Sequence, residues 1–152
     1  MARYVPPSER PSELANEVRR IVWNPWAEHW SDPKVREQHV AALVRTGINL
    51  FDYVLKHWGP SPEVFEPIEK AFFFALEAHA SQTPRKTGEP YVQHPITVAT
   101  SCAEHGIDHI GIVSALLHDT IEDTQITEDE IRRNFGNDVA EIVVGLSKVK
   151  ST

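Results

Sequence analysis

Between Ser12 and Trp23 the apolar positions Leu14, Val18, Ile21 and Val22 recur at three- and four-residue steps. This spacing predicts a short helix, capped by Ser12 and broken at Asn24-Pro25 because the residue before a proline avoids the α region. Asp32-Pro33 reads as an N-cap followed by a first helical residue. From there Val35, Val40, Leu43, Val44, Ile48, Phe51, Val54, Leu55 and Trp58 form one stripe of a long helix, which Gly59-Pro60 ends. A third helix is expected from about Glu63 to His79, rich in helix formers and in the aromatics Phe65, Phe72, Phe73 and Phe74. Residues 81–90 hold two prolines, a glycine and no apolar side chain, so they form a loop, and this loop contains the adjacent pair Arg85-Lys86. Shorter helices follow at roughly 94–104, 109–119, 127–135 and 137–147, separated by Gly106, Thr124 and Gly136. The first of them carries Ile96, Val98, Ala99 and Cys102 on its apolar face, and Thr127 with Glu130 forms a capping box at the third. No stretch alternates with period two, so the fold is read as all-α.

Pro60-Ser61-Pro62 is the best boundary and divides the chain into residues 1–61, an N-terminal helical extension, and residues 62–152. The 152 residues suit one domain with an appendage, and 41% hydrophobic with 24% charged residues is an ordinary globular balance that can bury a core. Charge is unevenly spread. Residues 1–61 carry eight Lys and Arg against seven Asp and Glu (+1), whereas residues 62–152 carry seven against fifteen (−8). Such an acidic surface disfavours nucleic acid as a partner, but a small anionic ligand remains admissible if a basic loop or a metal ion offsets the field. The single cysteine, Cys102, and the absence of a signal-like apolar run at the start point to a reducing cytoplasm. No run approaches the roughly 20 apolar residues of a membrane span, so no membrane association is expected.

The segment with most chemistry is Leu116-Leu117-His118-Asp119-Thr120-Ile121-Glu122-Asp123-Thr124, which directly follows an apolar helix. Burying one imidazole and three carboxylates together is costly unless a cation pairs them. If the helix continues through this segment, His118, Asp119, Glu122 and Asp123 divide between two adjoining faces, one suited to a metal and one to a water molecule. A solvated acidic turn would look the same. His94, between Gln93 and Pro95 at a helix start, could cap, pack or ligate. His29, His39, His57, His105 and His109 show no partner pattern, and Trp23, Trp26, Trp30 and Trp58 are read as packing residues.

Three ordered runs carry a resemblance: Arg85-Lys86-Thr87-Gly88-Glu89-Pro90-Tyr91-Val92-Gln93-His94-Pro95, then Ala115 to Thr124, then Phe135-Gly136-Asn137-Asp138-Val139-Ala140. From about Ala71 to Lys148 the chain resembles the hydrolase half of the RelA/SpoT homologues, HD-superfamily enzymes of the stringent response that act on the guanosine alarmones ppGpp and pppGpp. The resemblance implies an all-α, HD-superfamily helical domain preceded by an additional N-terminal helical region. It also implies Mn²⁺-dependent hydrolysis of the 3′-pyrophosphate, giving GDP or GTP and pyrophosphate. Position by position, His94, His118 and Asp119 resemble the metal ligands, and Glu122 and Asp123 the pair that orients or deprotonates the attacking water. Arg85 would lie against the guanine, with Lys86 and Thr87 lining the nucleotide site. Imidazole and carboxylate ligands suit a cation such as Mn²⁺, and a guanidinium can stack on a base while its charge favours a polyphosphate. His79 belongs to the same pattern and is read as structural support.

The chain departs from that family where Ser81 replaces a glycine and Thr83-Pro84 lengthens the loop. The family's fourth ligand, an aspartate, would lie beyond Thr152, so the chain is expected to be part of a longer protein and the hydrolase domain to be incomplete. Two alternatives stay open: a truncated or inactive module that binds guanine nucleotide and regulates, and an HD phosphohydrolase with another nucleotide substrate.

Overall fold

The fold is taken from a computed structural model that describes residues 3–151; Met1, Ala2 and Thr152, the outer ends of the two expected segments, lie outside the described residues. A 3₁₀ turn at Pro7–Glu9 precedes eight helices among the described residues: α1 Pro11–Trp26, α2 Pro33–Trp58, α3 Pro62–His79, α4 Gln93–Glu104, α5 His109–Leu117, α6 Thr120–Asp123, α7 Glu128–Phe135 and α8 Asn137–Ser151. The described residues contain no strand, and the fold is all-α as expected.

Local chemistry explains most boundaries. The Asp32 carboxylate accepts from the Lys34 amide at 2.8 Å and Pro33 opens α2, which Gly59 closes with φ +67°. On α7 the Thr127 hydroxyl accepts from the Glu130 amide at 3.2 Å, the N-cap half of the expected capping box, while the Glu130 carboxylate meets the Thr127 hydroxyl and not its amide. Ser12, in contrast, does not cap α1: the helix begins at Pro11, whose fixed φ starts the first turn one residue earlier, and Arg10 occupies the cap position without a side-chain bond. Nor does α1 break at Asn24-Pro25. Pro25 sits in the last turn, so it removes a single i→i−4 bond next to the helix end, and the buried Trp26 ring packs that turn against Trp30 at 5.6 Å.

One core runs through the molecule. Leu14, Val18 and Val22 of α1 meet Val40, Leu43, Val44, Leu50, Phe51 and Val54 of α2, and these continue into Phe65, Ile68, Phe72 and Leu76 of α3. Phe51 packs on Phe72 at 5.5 Å and on Phe65 at 6.3 Å. Gly47 lies where α2 crosses Phe72, and a Cβ there would sit 3.0 Å from Cζ of the ring, tighter than an ordinary contact. Of the expected α2 stripe, Trp58, the last residue of the helix, falls outside the core at 43% exposure. A second buried layer joins Ile96 and Ala99 of α4 to residues 112–117 of α5, all of them buried, with Val139, Ala140 and Val143 of α8 behind them. Val98 and Cys102, expected on the apolar face of α4, are only half-buried, and burial raises the Cys102 thiol pKa.

Helix α4 is joined to α2 by a side-chain bond at each of its ends. Gln93 Nε2 donates to Thr46 Oγ1 at 2.7 Å, and His57 Nε2 lies 3.1 Å from the Glu104 carbonyl oxygen. Both pairs are separated by eleven residues along their own helix, about 16 Å at 1.5 Å per residue, so the two helices run parallel and in step. In this way α2 fixes the helix that begins next to His94.

Candidate metal centre

The decisive local event is the end of α5. The apolar pattern favours a helix continuing to residue 119, but α5 ends at Leu117 and a separate one-turn helix, α6, starts at Thr120. Two side chains take over the carbonyls that a helix end leaves open: His118 Nδ1 bonds the Ala115 oxygen at 2.6 Å, and the Thr120 hydroxyl donates to the Leu117 oxygen at 2.8 Å. The His118, Asp119, Glu122 and Asp123 side chains therefore do not share two faces of one helix. His118 and Asp119 are delivered at a corner deep in the fold, while Glu122 and Asp123 stand on the exposed turn beyond it.

His94 reaches the same corner from the first turn of α4, which is wound by bonds from the Gln93 amide to the Pro90 oxygen and from the His94 amide to the Tyr91 oxygen, both 3.1 Å. One ligand atom each of His94, His118 and Asp119 lie within 4.8 Å of one another. The Asp119 side chain is 1% exposed; its Oδ2 is 3.1 Å from His118 Nε2 and 3.9 Å from His94 Nε2. Because His118 Nδ1 faces a carbonyl, that nitrogen carries the proton in the neutral ring, and Nε2 turns a lone pair towards the carboxylate. Either a proton or a metal ion on Nε2 makes this contact favourable. Two imidazole nitrogens and a carboxylate around one point form a donor set that fits a divalent metal.

Around this triad lie groups that sequence reasoning missed. The Tyr91 hydroxyl is 2.8 Å from Asp123 Oδ2 and 3.1 Å from Asp119 Oδ2, with the phenol as donor. Burial, and then the bond to Asp123, push its pKa above the ordinary value, so the O–H keeps its proton at neutral pH. The Tyr91 ring stacks on His79 at 5.2 Å. His79 is 2% exposed, its Nδ1 bonds Gln82 Oε1 at 2.6 Å, and burial lowers its pKa, which keeps it neutral. The available signal for Tyr91 was its place one helical turn before His94, in a run that otherwise reads as a loop.

The basic loop is turned by Gly88, φ +90°, with bonds from the Gly88 amide to the Arg85 oxygen at 2.8 Å and from the Arg85 amide to the Glu89 oxygen at 3.0 Å. Arg85, Lys86 and Thr87 are exposed on it. Glu89 Oε1 is 3.6 Å from the Arg85 guanidinium and accepts from the Thr87 hydroxyl at 3.4 Å. These three residues line an open cavity of about 420 Å³ together with Tyr91, whose hydroxyl touches the triad. A larger cavity of about 700 Å³ between α3, α5 and the α7–α8 corner contains none of the expected site residues. It has no cluster of convergent metal-ligating groups, so the chemistry favours the smaller one.

Residues 71–152, more than half of the chain, match the HD domain family. The chain belongs to that family. The chain is similar to guanosine-3′,5′-bis(diphosphate) 3′-pyrophosphohydrolase of Aquifex aeolicus, at 49% identity over 96 residues, which is 63% of this chain and 13% of the relative. It is similar to the GTP pyrophosphokinase of Myxococcus xanthus at 42% identity over 95 residues, covering 62% of the chain and 12% of the relative. It is also similar to the bifunctional (p)ppGpp synthase/hydrolase SpoT of Escherichia coli K12, at 45% identity over 82 residues, covering 54% and 12% respectively. The RelA/SpoT resemblance read from the sequence is therefore supported by these relatives, and the HD domain spans only a small part of each. No helix among the described residues is long and apolar enough to cross a membrane.

Proposed function

We propose that this HD domain is a metal-dependent phosphohydrolase that removes the 3′-pyrophosphate of ppGpp and pppGpp, giving GDP or GTP, in a reducing cytoplasm. The observation that carries this reading is the convergence of His94, His118 and the buried Asp119 within 4.8 Å, inside the family-matched segment and next to a basic loop. These three residues would hold Mn²⁺, which supplies Lewis-acid activation of water and offsets phosphate charge when bound. Arg85 stacks its guanidinium on the guanine, and Lys86 and Thr87 contact the phosphates, replacing the weak contacts that Glu89 makes within the loop. Glu122, at the exposed rim, takes a proton from the attacking water, and Asp123 orients that water. The water oxygen joins the first phosphorus, the bond from that phosphorus to the ribose 3′ oxygen breaks, and the 3′ oxygen is protonated. In this reading residues 62–152 form the hydrolase unit, and residues 1–61 are an extension that steadies α4 through Thr46 and His57.

The test is pyrophosphate release from ppGpp with Mn²⁺, by the 152-residue chain and by the full length its gene encodes. Turnover is expected, lost in Asp119→Ala and reduced in Glu122→Gln with little change in metal affinity. A folded full-length protein that binds Mn²⁺ and releases no pyrophosphate refutes the reading.

A further inference from the structure

We propose that Tyr91 is a positioning residue whose single O–H couples the metal-binding carboxylate of Asp119 to the carboxylate of Asp123. The inference rests on Asp119 being a metal ligand but not on the identity of the substrate. The phenol oxygen lies within hydrogen-bond distance of both carboxylates, 2.8 Å from Asp123 and 3.1 Å from Asp119. A phenol has one proton, so it donates to one acceptor at a time or shares a bifurcated bond. It also separates two negative charges that would otherwise repel across a small gap. Shared as a bifurcated bond, the proton holds the Asp119 carboxylate in its ligating orientation and holds Asp123 against the same oxygen. The phenol thus fixes the orientation of Asp123 as well, although Asp123 is not in the triad.

The support beneath Tyr91 makes this more than a surface contact. Its ring is held on the buried imidazole of His79, which Gln82 anchors, and its backbone starts the turn that carries His94. A ligating carboxylate is commonly oriented by such an outer hydrogen bond, and removing one weakens metal binding by about 10- to 100-fold. The other half-buried phenol bonded to a carboxylate, Tyr4 with Glu69, is remote from the site and serves as the control.

The experiment is a titration of Mn²⁺ followed by the electron paramagnetic resonance of the free ion, on Tyr91→Phe, Tyr4→Phe, Asp123→Asn and the Tyr91→Phe/Asp123→Asn double variant, with no nucleotide present. Phe keeps the stacking on His79, and circular dichroism checks that each variant is folded. Tyr91→Phe should raise the dissociation constant about tenfold or more. Tyr4→Phe should leave it unchanged, and Asp123→Asn should have little further effect once the phenol is gone. A Tyr91→Phe dissociation constant within about twofold of the wild type overturns the proposal. So does an equal loss in Tyr4→Phe, which would mark a general effect on stability, or Tyr91 and Asp123 effects that simply multiply, which would mark independence. Because no alarmone enters the titration, the coupling stands or falls separately from the hydrolase reading. If hydrolysis is present, Tyr91→Phe should lower kcat at saturating Mn²⁺ with KM little changed.

Discussion

Replacing Asp119 with Asn should abolish the stabilisation that a divalent cation confers on this domain and leave the metal-free fold in place. The side chain is 1% exposed, and an amide keeps its shape. The amide oxygen can still accept from Tyr91, whose hydroxyl is 3.1 Å from Asp119 Oδ2. The loss is the one anionic donor between His94 and His118. An ion present at 100 times its dissociation constant stabilises the native state by about 2.7 kcal/mol. In a domain of this length each kcal/mol moves Tm by about 2–4 °C, so the wild-type shift should be roughly 5–10 °C. In Asp119→Asn the shift should fall below about 2 °C, since a neutral amide contributes little to a divalent site of this kind. Scanning calorimetry with and without MnCl₂, at about 0.15 M NaCl to screen diffuse attraction to the acidic surface, reads both quantities. Asp129→Asn, at an acidic side chain 89% exposed on α7, controls for that attraction and should keep the full shift. A metal-induced shift in Asp119→Asn equal to that of the wild type would refute the placement of the ion.

Three further outcomes follow from the same contacts. Gly47→Val places a Cβ 3.0 Å from Cζ of the buried Phe72 ring and should cost about 1–3 kcal/mol, read as a lower urea midpoint; no loss would mean that α2 and α3 pack less tightly than described. Thr46→Val removes the acceptor of the Gln93 side chain and should cost about 1 kcal/mol in the same assay, whereas Thr46→Ser should cost less because it keeps the hydroxyl. The third concerns pH: burial lowers the pKa of His79 and of His39, so below about 6.5 the unfolded chain binds more protons than the native protein at these positions. Stability should therefore be fully present above about pH 6.5 and decline as pH falls through the lowered native values, with a smaller slope in His79→Gln. Urea midpoints in EDTA between pH 5 and 8 check this, and an unchanged slope in that variant would contradict it.

Legibility along the chain depended on whether the controlling interaction was local. Helix α2 was readable because its cap, its proline and its terminal glycine all lie within one turn of its ends. Helix α7 was readable for the same reason, through Thr127 and Glu130. Pro25 misled because its effect depends on how many turns follow, and Trp58 misled because the stripe continues past the last neighbour that covers it. At the site, His94, His118 and Asp119 were legible as residue types and through the family resemblance, and the structure brings them together. Tyr91 was not, since an aromatic in such a run reads equally well as a packing residue. Thr46 and His57 could not have been found, because each meets its partner on α4 across 47 residues of sequence.

The end of α5 shows why a functional site is where local rules mislead. From Ile112 to Leu117 every residue is buried, and Ile121 continues the helical spacing, so propensity and pattern both favour one uninterrupted helix. An uninterrupted helix would spread His118, Asp119, Glu122 and Asp123 around its surface. The break at His118 and Asp119, stabilised by the imidazole on the Ala115 oxygen and by the Thr120 hydroxyl on the Leu117 oxygen, turns the first two inward and the last two outward. It places a carboxylate at 1% exposure, against the usual penalty for burying charge. The Tyr91 hydroxyl and the His118 imidazole offset part of that penalty, and Tyr91 connects the buried carboxylate to the exposed one. The departure from regular helix, the buried carboxylate and the two imidazoles beside it are together what the proposed metal site at the junction of α4, α5 and α6 requires.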